Sequence, residues 1–209
     1  MKKQRFQFLL DETKLQTNFA IISINHFNVS YGNMNSLEWL SEEQRNATYE
    51  FWYFLQNYVV SLGNISKILF GSFNPKDTPE KRMIRNKERR ILRETIGIPD
   101  NIILRDKKMR NLLEHIDENI EKFTDSPPNI ISNRGIIPSY AFNVNGENLF
   151  EHDINNLRNY LTDKNELILF GKKINISNSF SEVINLRDLV VIAEKKFKRG
   201  ELDDLFSDS

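Results

Sequence analysis

The chain has 209 residues, and its 29 Lys and Arg balance 29 Asp and Glu, so its overall charge identifies no partner. Hydrophobic residues make up 39% of the chain, which is enough apolar surface for a folded core and excludes wholesale disorder. The absence of cysteine excludes disulfides, thiolate nucleophiles and cysteine-rich zinc sites.

Helical periodicity dominates the first 126 residues. Apolar spacing predicts four helices, over 6–27, from a cap at Ser36 or Ser41 to 70, over 79–95 and over 102–123. The third has the clearest ends, because Thr78 and Pro79 form a typical cap and first turn and Gly97 a typical stop. We expect these segments to form a helical bundle.

Short apolar segments bounded by turn residues follow Pro128. They predict strands near 130–131, 136–137 and 141–150, the last a hairpin around Asn145-Gly146. A second pair of strands, 167–170 and 174–176, flanks Gly171-Lys172, and a final helix is predicted over 180–197. The expected fold is mainly α, a bundle of four to five helices with a small β-hairpin elaboration in the C-terminal third.

We expect one domain over 1–209, made of four consecutive parts. These parts are a bundle core over 1–126, a hairpin-containing insertion over 127–179, a final helix over 180–199 and a frayed acidic tail over 200–209. No apolar segment is long enough for a signal peptide or a membrane span, so a cytoplasmic protein is predicted.

Basic residues concentrate just before the centre of the chain. Between Lys76 and Arg110 there are twelve Lys or Arg against six Asp or Glu. In the third helix several basic residues are spaced so that they share one face, which favours an anionic partner: Lys81, Arg82, Arg85, Arg89, Arg90 and Arg93. The candidate RNA-binding residues are Arg82, Arg85, Arg89 and Arg93. An ordinary solvated surface is an equal alternative, because Glu80, Glu88 and Glu94 interleave with them.

One polar face is the best candidate for chemistry. In the fourth predicted helix, Arg110 and Glu114 lie four residues apart, as do Asn111 and His115, opposite an apolar stripe. An arginine fork suits a phosphate, and a histidine exchanges protons near neutral pH. Together they suit cleavage of RNA, in which a 2′-hydroxyl already lies beside the scissile phosphate. The alternative is a solvated Arg110–Glu114 salt bridge beside a histidine at the edge of the core.

Residues 109–120, MRNLLEHIDENI, resemble the signature helix of the HEPN family, whose motif is Arg, a polar residue, three more residues and His. The resemblance implies a HEPN-like bundle that forms a homodimer, with the Arg and His of two subunits around one cleft. It implies Arg110 and His115 as the catalytic pair and Asn111 as the accompanying polar residue; we add Glu114 as an orienting group. Many members are metal-independent ribonucleases in toxin–antitoxin and phage-defence systems.

The resemblance therefore implies an RNA endonuclease that leaves 2′,3′-cyclic phosphate ends, with RNA, a second copy and a possible antitoxin or defence protein as partners. The alternative is a non-catalytic HEPN-like module that binds RNA, a nucleotide or a partner protein, and a third is a structural part of a defence complex. No cofactor or metal is expected, because His26, His115 and His152 are far apart in sequence. His26 is expected to be an interior residue, and His152 a loop histidine satisfied by its neighbours.

Overall fold

The structure is a computed structural model. It describes residues 1–71, 75–99, 101–106, 111, 116–125, 131–144, 147–148 and 155–206. The chain divides into two compact units, Met1–Asp106 with Phe180–Ser209, and Lys107–Ser179. The first unit is a helical bundle, and the second contains a four-stranded sheet. The prediction of a mainly helical chain with strands in its C-terminal part is confirmed.

Two long helices form the frame of the first unit. They are α1, Lys3–Ser36, and α2, Glu42–Phe70. The Ser41 hydroxyl accepts a hydrogen bond from the Gln44 N–H at 3.0 Å, which confirms one of the two predicted caps. α1 runs nine residues beyond its predicted end, because Ser30 is buried and Tyr31 packs against Phe51, and these contacts outweigh the local preference for a turn.

Two shorter helices complete the bundle. They are α3, Pro79–Ile96, and the part of α5, Ile176–Lys198, that belongs to the first unit. Arg5 on α1 donates two hydrogen bonds to the buried Glu88 on α3, at 2.8 and 3.0 Å. Lys14 on α1 pairs with Glu194 on α5, and the hydrogen bonds from Lys14 and Lys198 lower the pKa of Glu194.

Large apolar side chains from all four helices fill the core of this unit. Burial of each contributes roughly 1.5–3 kcal/mol relative to an exposed position. Fully buried examples are Phe6, Leu10, Phe51, Leu55, Tyr58, Ile65, Leu69, Leu92 and Val190.

The helix predicted over 102–123 differs at its start. Ile103–Arg105 form a 3-10 turn instead, because the Glu182 carboxylate accepts the N–H groups of Ile103 at 2.9 Å and Leu104 at 3.2 Å. A helix is present over Ile116–Thr124, which we call α4, and Asn111 is also helical. The sequence could not show this change, because the capping carboxylate lies 79 residues beyond Ile103 along the chain.

The acidic end was expected to be frayed, but its described part is folded as far as Phe206. Asp203–Phe206 form a 3-10 turn, Asp203 pairs with Lys3 at 2.6 Å, and the ring of Phe206 lies 5.4 Å from that of Phe6. Aromatic packing therefore holds this end against α1 through Phe206. The last three residues lie outside the described part of the chain.

The second unit is built on a mixed sheet of four strands. They are β1 Ile131–Ile137, β4 Asn155–Leu161, β5 Glu166–Leu169 and β6 Lys172–Asn175. They lie in the order β1-β4-β5-β6, in which β1 and β4 are parallel and the other pairs antiparallel. The predicted β5–β6 hairpin is confirmed, and positive φ angles at Phe170 and Gly171 form its two-residue turn.

A smaller ribbon lies between β1 and β4 in the sequence. It pairs β2, Asn143–Val144, with β3, Glu147–Asn148, in the register that a turn at 145–146 requires. The two turn residues themselves lie outside the described residues. β4 was not predicted, because Asn155, Asn156, Arg158 and Asn159 interrupt its apolar pattern.

β1 contains a bulge opposite Asn159. The pairing of β1 with β4 shifts register on both sides of Asn133, and the fully buried Asn159 side chain occupies this irregularity. Its oxygen accepts hydrogen bonds from the Gly135 N–H at 2.8 Å and the Ser132 hydroxyl at 3.0 Å, and its amide donates to the Ser132 carbonyl. The side chain thus satisfies backbone groups that a bulge leaves unpaired.

We predict that Asn159→Leu destabilises the second unit by about 1–3 kcal/mol, because the Gly135 N–H and the Ser132 carbonyl lose their buried partner. Urea denaturation gives the free energy, and amide hydrogen exchange over 131–137 gives the local effect. The exposed Asn178→Ala is the control and should change stability by less than about 0.5 kcal/mol. Unchanged exchange in the Asn159→Leu variant would contradict the assigned role.

Candidate nucleic-acid interface

The four predicted catalytic residues all fall within the range of the second unit. Asn111 is helical and exposed. Arg110, Glu114 and His115 lie outside the described residues, so their predicted roles stay predictions.

The other two histidines differ in what the structure describes. His152 also lies outside the described residues. His26 is exposed and stacks on the ring of Phe54, with 4.7 Å between centroids, so the expectation of an interior residue is wrong. No catalytic role follows from this stacking.

The basic helix α3 has well-defined ends. The Thr78 hydroxyl accepts the Lys81 N–H at 3.3 Å, Pro79 is the first helical residue, and Gly97 adopts the left-handed conformation with φ of 81°. All three features match the sequence prediction. Glu88, Leu92 and Ile96 are the buried residues of α3, so the opposite side of the helix is left to solvent.

A basic groove runs along the outer side of α3, and we call it the α3 groove. Its volume is about 740 Å³, and its described lining residues are Pro79, Arg82, Met83, Asn86, Lys87, Arg90 and Arg93. Their spacing of three or four residues places them on one helical face. Four of them are cationic and, among these described lining residues, none is acidic. Such a surface concentrates positive charge in a chain whose overall charge is zero.

The four arginines predicted to bind RNA do not all lie in this groove. Arg82 and Arg93 line it. Arg85 forms an ion pair with Asp77, and Arg89 is half-buried on the flank of the helix. Burial lowers the pKa of Arg89, Glu88 opposes this effect, and Arg85 and Arg5 add to it. The structure therefore brings two of the four predicted residues together.

Lys87 lines the groove and was left out of the sequence interpretation, whereas Arg90 was included in the basic face but not among the four candidate RNA-binding residues. The signal for both was present in the sequence, because Lys87 follows Met83 by four residues and Arg90 follows it by seven, which are helical spacings. This signal was ambiguous, because the basic residues of α3 form several overlapping faces and the sequence does not show which face is exposed. The choice among them depends on which side of the helix is buried, and that side carries Glu88, Leu92 and Ile96.

Arg93 connects the groove to the end of α2. Its Nη1 donates a hydrogen bond to the Leu69 carbonyl at 2.6 Å, and its guanidinium lies 5.0 Å from the centre of the Phe70 ring. A cation at this position also complements the negative end of the α2 dipole. Arg90 faces Glu94 at 3.7 Å, but both side chains are well exposed, so that pair contributes little.

The α3 groove suits an extended polyanion. Guanidinium and ammonium groups at helical spacing can contact successive phosphates, and the Asn86 amide adds a neutral hydrogen-bonding group. In the part of the chain that the structure describes, no group of acidic or histidine side chains is arranged to hold a metal ion.

None of the described helices is both long and apolar enough to cross a bilayer. Comparisons of this chain with family models, with characterised proteins and with solved structures find no match.

Proposed function

We propose that this protein is a metal-independent RNA endonuclease of the HEPN type that works as a homodimer in a toxin or phage-defence system. The observation that carries the proposal is the motif at 109–120, with Arg110, Asn111, Glu114 and His115. The mainly helical character of the chain is in keeping with the helical bundle that the resemblance implies, although the motif itself falls in the range of the second unit. The α3 groove adds a surface of the charge that an RNA ligand needs.

The proposed reaction uses the 2′-hydroxyl of the RNA as the nucleophile. His115 accepts the proton of that hydroxyl or donates one to the leaving oxygen, and Arg110 stabilises the charge that develops on the phosphate. The 2′-oxygen forms a bond to phosphorus as the bond from phosphorus to the 5′-oxygen breaks. The products are a 2′,3′-cyclic phosphate and a 5′-hydroxyl, and Asn111 and Glu114 position the reacting groups.

The α3 groove supports a role in holding the RNA backbone. Contacts to phosphates supply most of the affinity of a protein for a nucleic acid without selecting its sequence. A cationic helical face that also carries the Asn86 amide and the apolar Pro79 and Met83 fits binding of the RNA backbone better than recognition of particular bases. The groove also suits the alternative function, a module that binds RNA without cutting it, so cleavage and binding need separate tests.

A stripe on the outer side of α1 supports the homodimer. Five large apolar side chains on this side of the helix are each 43% to 63% exposed: Phe8, Leu15, Phe19, Ile22 and Val29. Phe8, Leu15, Ile22 and Val29 follow each other every seven residues. Apolar residues have this spacing in helices that pack along each other. A second copy can cover this α1 stripe with its own through a two-fold axis, because such an interface joins identical surfaces.

We predict that purified protein cleaves labelled RNA in the presence of a chelator, and that His115→Ala lowers the rate at least about 100-fold, as expected for a general acid or base. The products are analysed for 2′,3′-cyclic ends. His26→Ala is the matched control, because His26 is exposed and outside the motif. Equal activity of the His115 variant and wild type would remove the proposed mechanism, whereas RNA binding without any cleavage would favour the alternative.

We predict that Lys87→Gln combined with Arg90→Gln weakens RNA binding and lowers the salt slope of log K by about 1.4, as expected for two lost phosphate contacts on a single strand. Fluorescence anisotropy across a salt series measures both. The control, Lys195→Gln with Lys196→Gln, makes the same charge change at exposed positions of α5. A similar loss in both double variants would assign binding to overall charge and not to the α3 groove.

We predict that Leu15→Glu with Ile22→Glu converts the homodimer to a monomer, because the added charges of both copies would then be buried in its interface. Light scattering after gel filtration measures the mass, and circular dichroism checks the helical content. Ile84→Glu is the control, since this side chain is 46% exposed on α3 and not part of the α1 stripe. A wild-type monomer at micromolar concentration, or a dimer that survives both charges, would contradict this arrangement.

A further inference from the structure

Two arginines lie on adjacent strands at the bulge of the second unit. Arg134 follows Asn133 in β1, and Arg158 is the residue of β4 that pairs with Asn133. The register shifts on both sides of Asn133, so the two arginines come from adjacent strands at the point where the ladder is interrupted. We call Arg134 and Arg158 the arginine pair.

The backbone at the bulge has an unusual shape that Asn159 stabilises. Arg134 has φ of 62°, in the left-handed region that a residue with a side chain adopts at some cost. Asn159 fixes both sides of it through the Ser132 and Gly135 hydrogen bonds. A Cβ on Gly135 would lie 2.7 Å from the Asn159 side-chain oxygen, so this position accepts only glycine without a shift of Asn159. The sequence is therefore matched to the bulge at Gly135 and Asn159, whereas Arg134 adopts its backbone conformation at a cost.

The arginine pair is electrostatically unfavourable by itself. Arg158 is half-buried, and among the described residues no carboxylate forms an ion pair with either guanidinium. Burial lowers the pKa of Arg158, and the nearby positive charge of Arg134 lowers it further. Bringing like charges together and removing one from water both cost stability. Within the described part of the chain no opposite charge compensates for this, whereas a bound anion would.

We propose that Arg134 and Arg158 form a binding site for a phosphoryl group. Two arginine guanidinium groups offer planar sets of N–H donors that match the oxygens of a phosphate. Their two positive charges also match the charge of a phosphoryl group better than they match the single charge of a carboxylate. The bulge positions the exposed Arg134 beside the half-buried Arg158, which is a common use of bulges near binding sites. The site lies outside α3 and uses no residue of the 109–120 motif, so it is independent of the proposed nuclease.

The phosphoryl group can come from the backbone of an RNA or from a small phosphorylated compound. A backbone phosphodiester carries one charge, and a terminal phosphate carries up to two. Pyrophosphate and a single-stranded RNA oligonucleotide with a 5′-hydroxyl therefore serve as separate probes of the two sources.

The test uses the full chain and four proteins: wild type, Arg158→Gln, Arg134→Gln and the control Lys164→Gln, an exposed lysine in the turn between β4 and β5. Thermal unfolding is followed with pyrophosphate and with sodium chloride of equal ionic strength, and RNA binding is measured by anisotropy. We expect pyrophosphate, RNA or both to bind wild type and the control, and either arginine variant to bind the same probe at least about tenfold more weakly.

A second readout separates binding from a structural role. Without anions, Arg158→Gln should raise Tm, because the repulsion and the buried charge are removed, and a residue kept for stability would lower it. Binding of either probe through both arginines supports the proposal and identifies the source of the phosphoryl group. If neither arginine variant weakens binding of either probe, or if Arg158→Gln lowers Tm with binding unchanged, the proposal is overturned. Should Arg158→Gln fail to fold, the exposed Arg134 variant decides the question.

Discussion

The packing of α1 against α2 is the interaction on which the first unit depends. Phe27 and Phe51 lie 4.7 Å apart between the helices, and the Asn64 amide donates to the buried Gln16 at 3.2 Å. In its second half α2 is buried at most positions, so this helix needs cover on several sides. α1, α3 and the 3-10 turn at Ile103–Arg105 contact α2, and the ion pairs of Arg5 with Glu88 and of Lys14 with Glu194 connect α3 and α5 to α1.

Local signals predicted the ends of elements well. Ser41, Thr78, Pro79 and Gly97 act through their own backbone geometry and nearby hydrogen bonds, so their effect can be read within four residues. Failures occur where distant residues decide. Glu182 reshapes the chain at Ile103–Arg105, and β4 forms around a buried asparagine that breaks the expected alternation. Neither contact leaves a trace in the local pattern.

The surfaces were harder to predict than the elements. α1 carries two apolar stripes, and periodicity alone does not distinguish the one that contains Phe6 and Leu10, which is buried, from the one that contains Phe8 and Leu15, which is exposed. On α3 the same ambiguity applies to charge. Arg82 and Arg93 were predicted and line the groove. Arg85 instead forms an ion pair with Asp77, and Arg89 is half-buried. Resolving such cases requires knowing which neighbours cover each helix.

The ion pair that joins the buried Glu88 to Arg5 has a consequence for how α3 tolerates changes in length. A helix turns about 100° per residue, so a single inserted residue between Met83 and Asn86 would rotate Arg82 away from Lys87 and its neighbours while Glu88 stayed anchored. Exchange of one cation for another leaves this angular register intact. The helix is therefore permissive toward substitution on its outer side and intolerant of insertion or deletion within its first three turns.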